Sequence, residues 1–178
     1  MSRLHTQDIA SATGHAAQLF SVIKAAIGKV PNAYATIGSN SPLVLETVLG
    51  MDAALRKSSL KGKQVEAIKL AVSEAAGCDY CLAAHSFAAK RLGLSSEAVV
   101  GLRRAESSGD AQLDALSTFA RYLATTQGTV PVEVVDAVKA AGYTDAQIVD
   151  TLLAMAAINL TNLFNRVNDT VVDFPAAD

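Results

Sequence analysis

Gly77-Cys78-Asp79-Tyr80-Cys81-Leu82-Ala83-Ala84-His85-Ser86-Phe87-Ala88-Ala89-Lys90-Arg91-Leu92-Gly93-Leu94-Ser95 organises the reading of the whole chain. Its two glycines are helix stops: Gly77 closes the segment before it and Gly93 closes this one, after which Ser95 opens the next. The alanine-rich run between them predicts a helix from Cys78 to Leu92. Residues three and four apart on a helix share a face. Cys78, Cys81 and His85 therefore lie in one row, with the first cysteine at the helix start.

Helical signals continue on both sides. Ser41-Pro42 pairs an N-cap with proline at the first helical position, and Val44, Val48, Met51 and Leu55 follow at helical spacing. Val65, Ile68, Val72 and Ala75 mark the segment that Gly77 ends. Leu113, Leu116, Ala120 and Leu123 mark another, stopped by Gly128. Pro131 opens a helix that runs to Gly142, and Thr144-Asp145-Ala146-Gln147 is a capping box opening the last one. Gly93-Leu94-Ser95 and Gly142-Tyr143-Thr144 repeat the same stop-and-start chemistry without further internal similarity. No segment alternates apolar and polar residues with β-branched enrichment, so the expected class is all-α. The expected organisation is an N-terminal helical arm over residues 1–30 and one helical domain over 31–178.

The 178 residues are 51% hydrophobic and 18% charged, with a mean hydropathy of +0.28, which suits a chain with a sizeable core. The net charge is −2 and the aromatic share 5%, with no Trp; neither a basic footprint nor a stacking platform for nucleic acid is expected. The longest uncharged apolar stretch, Leu152 to Leu160, is short for a membrane span. The first residues carry no charged segment followed by an apolar one, and the expected compartment is the cytoplasm.

In a reducing compartment two cysteines three residues apart close too small a loop to staple a fold, so redox or metal chemistry leads. Backbone N–H groups at a helix start favour a thiolate. His85, four residues after Cys81, is placed to take a thiol proton directly or through a water. The second thiol, one turn away, can close a disulfide once the first is oxidised. Metal binding finds at most three ligands here, since His5 and His15 lie in a distant segment. Two inert core cysteines are the remaining reading.

The motif Gly77–Ser95, with Val65-Glu66-Ala67-Ile68-Lys69-Leu70-Ala71-Val72-Ser73-Glu74-Ala75-Ala76-Gly77 upstream and Asn159-Leu160-Thr161-Asn162-Leu163-Phe164-Asn165-Arg166-Val167-Asn168-Asp169 downstream, resembles the AhpD-like, carboxymuconolactone decarboxylase superfamily of alkylhydroperoxidases. The pattern Glu66-(11 residues)-Cys78-x-x-Cys81-x-x-x-His85 carries it, over about residues 40–172. The resemblance implies an all-helical fold, trimers or hexamers, and hydroperoxide reduction through a CxxC disulfide that an external thiol, dihydrolipoyl or thioredoxin-like, regenerates, with no cofactor. It makes Cys81 the peroxidatic and Cys78 the resolving cysteine, with His85 and Glu66 as the proton relay. The family often has a histidine just before the second cysteine; here it is Tyr80, as in the peroxidase-related CxYC branch. A phenol with pKa about 10 shuttles no proton at neutral pH, though its hydroxyl can hydrogen-bond a water or substrate oxygen. Two other functions share these residues: a thiol–disulfide adaptor, and a decarboxylase-like ligand-binding protein.

Further expectations are sharper. The histidine spacing gives Cys81 the lower pKa of the pair. Asp79 caps the helix start and faces solvent. Glu74 is the rival to Glu66. In the last helix the stripe Ile148, Leu152, Met155 continues as Asn159, Asn162 and Arg166 and turns polar for structural reasons. Lys61, Lys63, Arg103 and Arg104 read as a solvated face.

Overall fold

Local signals set most helix ends in the computed structural model, which describes residues 2–177. A 3₁₀ turn at Ile9–Ser11 precedes α1 (Gly14–Ile27), α2 (Asn32–Asn40), α3 (Pro42–Leu55), α4 (Gly62–Ala76), α5 (Asp79–Arg91), α6 (Ser96–Arg104), α7 (Ala111–Thr125), α8 (Val132–Ala140) and α9 (Asp145–Asn168). No strand occurs among the described residues, and the fold is all-α. Ser41, Ser95 and Thr144 each accept an N-cap hydrogen bond, and Thr144 completes its capping box with Gln147. Gly77, at φ +62°, provides the left-handed residue that ends α4 and turns the chain into α5.

The central element is α4, which packs against α5, α6, α7 and α9. Ile68 and Val72 bury one of its faces against Leu116, Phe119, Ala154 and Ile158. Ala67 and Leu70 bury another against Val99, Leu102 and Leu113. Each large side chain removed from water here contributes about 1.5–3 kcal/mol. The buried Lys69 of α4 is held by Asp52, whose carboxylate also accepts the Tyr34 hydroxyl, at 2.9 and 3.1 Å. A buried ammonium persists only with such a partner.

In α1, Phe20 and Ile23 are buried against Ile37 and Leu45 of its own chain. Gly38 permits that approach, since a Cβ there would lie 2.6 Å from the Phe20 ring. Residues before α1 are tied to α2 and the end of α9, by Thr6 to Thr36, Gln7 to Ser39 and Leu4 to Asn168.

The last helix departs from the expected stripe. Met155 and Asn162 are buried, but Leu152, Asn159 and Arg166 are exposed. The buried row is Thr151, Ala154, Met155, Ile158, Asn162 and Asn165. By length and composition α9 is apolar enough to cross a membrane, longer than the uncharged stretch suggested, and 33% of that window is buried in the fold.

Candidate active site

The turn at Gly77 places Cys78 as the N-cap of α5, where its Sγ accepts the backbone N–H of Cys81 at 3.3 Å. The cap is thus the cysteine, and Asp79 occupies the exposed first turn instead. Both cysteines are free thiols, 2% and 3% exposed, with their sulfurs 2.6 Å apart. That contact lets one thiol donate to the other sulfur. The hydrogen bond from Cys81, with the backbone N–H, draws the Cys78 thiol below its ordinary value against burial. The same sulfur contact, then burial, pushes Cys81 up. The expectation that Cys81 holds the lower pKa is therefore reversed: an N-terminal thiolate fed by two donors outweighs a histidine that does not touch the other sulfur.

His85 Nδ1 meets Glu66 Oε2 at 2.8 Å, joining α5 to α4. Both side chains are mostly buried, at 19% and 13% exposure. With Nδ1 engaged, Nε2 is the nitrogen free to exchange a proton. His85 makes no direct hydrogen bond to Cys81 among the described contacts. The two instead line one cavity of about 150 Å³ with Tyr34, Tyr80, Thr161, Asn165 and Phe174. Cys78 faces the other way, into a cleft of about 360 Å³ lined by Asp79, Arg166 and Asp169. Glu74 is no part of this site: its carboxylate takes the Arg103 guanidinium at 2.8 Å, so Arg103 is less a solvated residue than expected.

Tyr80 walls the cavity, but its hydroxyl is committed elsewhere. It donates to Asp173 Oδ1 at 2.7 Å and accepts the Ala33 N–H at 3.2 Å. Burial, reinforced by the Asp173 carboxylate, raises its pKa far above the ordinary phenol value. Asp173 also takes Lys29 at 3.0 Å, and Asn32 Nδ2 binds the Val171 carbonyl at 2.9 Å. Phe174 then stands edge-on to Tyr80, ring centroids 5.7 Å apart, with Lys29 over its face at 4.5 Å. The segment after α9 is in this way strapped against the cavity, with Phe174 in its wall. Sequence reasoning missed both this strap and Asn165, whose Nδ2 lies 3.4 Å from Cys81 Sγ. Amides recurring at helical spacing, Asn162 and Asn165 in one buried row, were the available signal for Asn165. No group of three or more His, Cys, Asp or Glu side chains among the described residues is arranged to hold a metal.

Residues 42–116, which include Glu66, both cysteines and His85, match the carboxymuconolactone decarboxylase family. No curated protein sequence matches the chain. Among solved structures, an uncharacterized peroxidase-related protein from Ralstonia eutropha JMP134, described as an alkylhydroperoxidase AhpD core, has a TM-score of 0.86 at 20% identity, over 97% of this chain and 92% of its own. The debrominase Bmp8, in complex with 2,3,4-tribromopyrrole, has a TM-score of 0.80 at 19% identity, over 97% and 92%. An uncharacterized peroxidase-related protein from Silicibacter sp. TM1040 has 0.78 at 21%, over 96% and 94%. These likenesses establish the fold.

Proposed function

We propose that this chain, which belongs to the AhpD-like carboxymuconolactone decarboxylase superfamily, is a dithiol oxidoreductase that reduces organic hydroperoxides. One observation carries the reading: Cys81 and His85, whose Nδ1 Glu66 holds, line the same mainly apolar cavity, with the Cys78 sulfur 2.6 Å from Cys81. Cys78 carries the first negative charge and serves as the internal base for Cys81. Transfer of the shared proton to Cys78 leaves a Cys81 thiolate facing the cavity. That thiolate attacks the terminal oxygen of ROOH, the O–O bond breaks, and the alkoxide leaves as ROH with a proton exchanged through His85 Nε2. Glu66 holds the ring in the tautomer this requires. The product at Cys81 is a sulfenic acid. Cys78 attacks its sulfur, water leaves and the disulfide closes. The sum is two thiols plus ROOH giving disulfide, ROH and H₂O. An external dithiol, dihydrolipoyl or thioredoxin-like, returns the two electrons by exchange.

The aromatic walls from Tyr34, Tyr80 and Phe174, with the fold shared with a debrominase, favour a second reading in which the same two electrons cleave a carbon–halogen bond. One experiment separates the readings. Reduced protein is mixed with cumene hydroperoxide, a small disulfide or a brominated pyrrole, and free thiols, mass and bromide are followed. Fast loss of both thiols with hydroperoxide, without added oxygen mass, supports the peroxidase. Faster loss with the small disulfide points to an adaptor. Bromide release as the fastest reaction favours the dehalogenase.

A further inference from the structure

Asn165 is 5% exposed and lines both the Cys81 cavity and the Cys78 cleft. Its Nδ2 donates to Cys81 Sγ at 3.4 Å. Its Oδ1 is buried with no hydrogen-bond partner. A buried orphan acceptor costs about 1–3 kcal/mol, and native folds leave few of them. The orphan belongs to the residue that bonds the Cys81 sulfur and lines the cavity beside it. It needs an O–H or N–H donor, and the surrounding protein supplies none.

We infer that Asn165 is a catalytic residue that grips the transferred oxygen, its Nδ2 holding the anionic Cys81 sulfur and its Oδ1 accepting the O–H of the entering hydroperoxide. The inference deepens the peroxidase reading and rests on Cys81 as the attacking sulfur. The thiolate forms its new bond to the O–H oxygen of ROOH while the O–O bond breaks and RO⁻ departs to be protonated. The O–H accepted by Asn165 in the hydroperoxide is then the O–H of the sulfenic acid, so one hydrogen bond persists from substrate to product. Such a contact aligns the O–O bond with the sulfur and selects substrates that carry a terminal O–H. Asn162, one turn earlier, also holds a buried orphan atom, but it bonds Ser73 and does not line the cavity. It serves as the structural control.

The test compares two reactions of Cys81 in a Cys78→Ser chain, each read by mass: oxidation by cumene hydroperoxide and alkylation by iodoacetamide. Alkylation reports thiolate reactivity and needs no acceptor for an O–H. Asn165→Ala should slow alkylation about tenfold through the lost donor. It should slow oxidation about a hundredfold, since the acceptor goes as well. Asn165→Asp keeps an acceptor and loses the donor. It should slow both reactions and keep their ratio nearer the parent than Asn165→Ala does. Asn162→Ala should leave the ratio unchanged. An oxidation-to-alkylation ratio in Asn165→Ala that equals that of the Cys78→Ser parent overturns the inference. Failure of the peroxidase reading looks different: the native chain, with both cysteines in place, then loses its thiols to hydroperoxide no faster than a free thiol such as glutathione.

Discussion

Tyr80→Phe separates a latch from a proton carrier. The substitution keeps the ring, so the edge-on contact with Phe174 survives. It deletes a hydroxyl that donates to Asp173 at 2.7 Å and accepts from Ala33 at 3.2 Å. The bond to a carboxylate is charge-assisted, worth about 1.5–3 kcal/mol, with the lower end apt because Asp173 is 21% exposed. Losing the acceptor also leaves the buried Ala33 N–H unpaired, at a cost of about 1–3 kcal/mol. Together the global loss is about 2.5–4.5 kcal/mol, which lowers Tm by roughly 5–18 °C in a chain of this size. The strap opens locally more easily by the first amount alone, so amide exchange over residues 170–174 should quicken about ten- to a hundredfold. Hydrogen exchange and thermal unfolding of reduced protein measure both. Asp173→Asn should reproduce the exchange effect while leaving the Tyr80 hydroxyl in place. If Tyr80→Phe leaves exchange in the strap and Tm unchanged but abolishes oxidation of the thiols, the phenol works in the chemistry and the latch is wrong.

The thiols should titrate in a set order. Cys78 is lowered and Cys81 raised, so as pH rises the first thiolate forms at Cys78, below the ordinary thiol range of roughly 8–9, and Cys81 ionises above it. Cys78→Ser removes the neighbouring charge, so the remaining thiolate absorbance should appear at lower pH than the second step of the native chain; no downward shift would contradict this order of ionisation. His85→Ala removes the group that exchanges a proton with the leaving alkoxide and should slow hydroperoxide oxidation by about a hundredfold, with no recovery at high pH because the thiolate forms without it, and Glu66→Gln should slow it by about tenfold. Equal rates across these variants in stopped-flow would remove the relay. The outer side of α9 leaves Val149, Leu152, Leu163 and Val167 between 50% and 64% exposed, a row expected to be covered by further copies of the chain. Light scattering at micromolar concentration should give a homo-oligomer whose mass falls in a Leu152→Glu, Leu163→Glu variant; a monomeric native chain would refute this.

The helix boundaries were legible because caps are local. Ser95 needs only the N–H of Ala98, and Gly93 and Gly142 need only their own positive φ, at 84° and 96°. The face of α9 was not legible, and the reason is physical. Periodicity marks the inside of a helix only when the outside is polar. Here Leu152, Leu163 and Val167 are apolar and outward, while Asn162, Asn165 and Asn168 are polar and inward. The pattern therefore pointed to a face rotated from the true one, sharing Met155 and Asn162 with it but not Leu152, Asn159 or Arg166. Cys78 as a cap escaped for a related reason: Asp79 is the commoner capping residue type, and only the turn at Gly77 decides which of the two holds the position.

In the site, legibility follows sequence separation. Four-residue spacing brought Cys81 and His85 to one cavity, and the family resemblance, rather than spacing, foreshadowed the Glu66 carboxylate at Nδ1. What that spacing could not give was the sulfur that ionises first, because proximity along a helix says nothing about which ring nitrogen is occupied or which thiol receives the backbone N–H. Asn165 reaches Cys81 across 84 residues, a separation at which no periodicity speaks. Tyr80 makes the same point in reverse. Beside its chain neighbours it reads as a histidine lost from a relay, but the partners of its hydroxyl lie 47 and 93 residues away. A phenol is suited to that position because it stays neutral and keeps its proton next to the Asp173 carboxylate, which accepts it. The residue that weakens the local proton path is the one that anchors the strap against the cavity, and that trade is visible only once the end of the chain has been folded back onto α5.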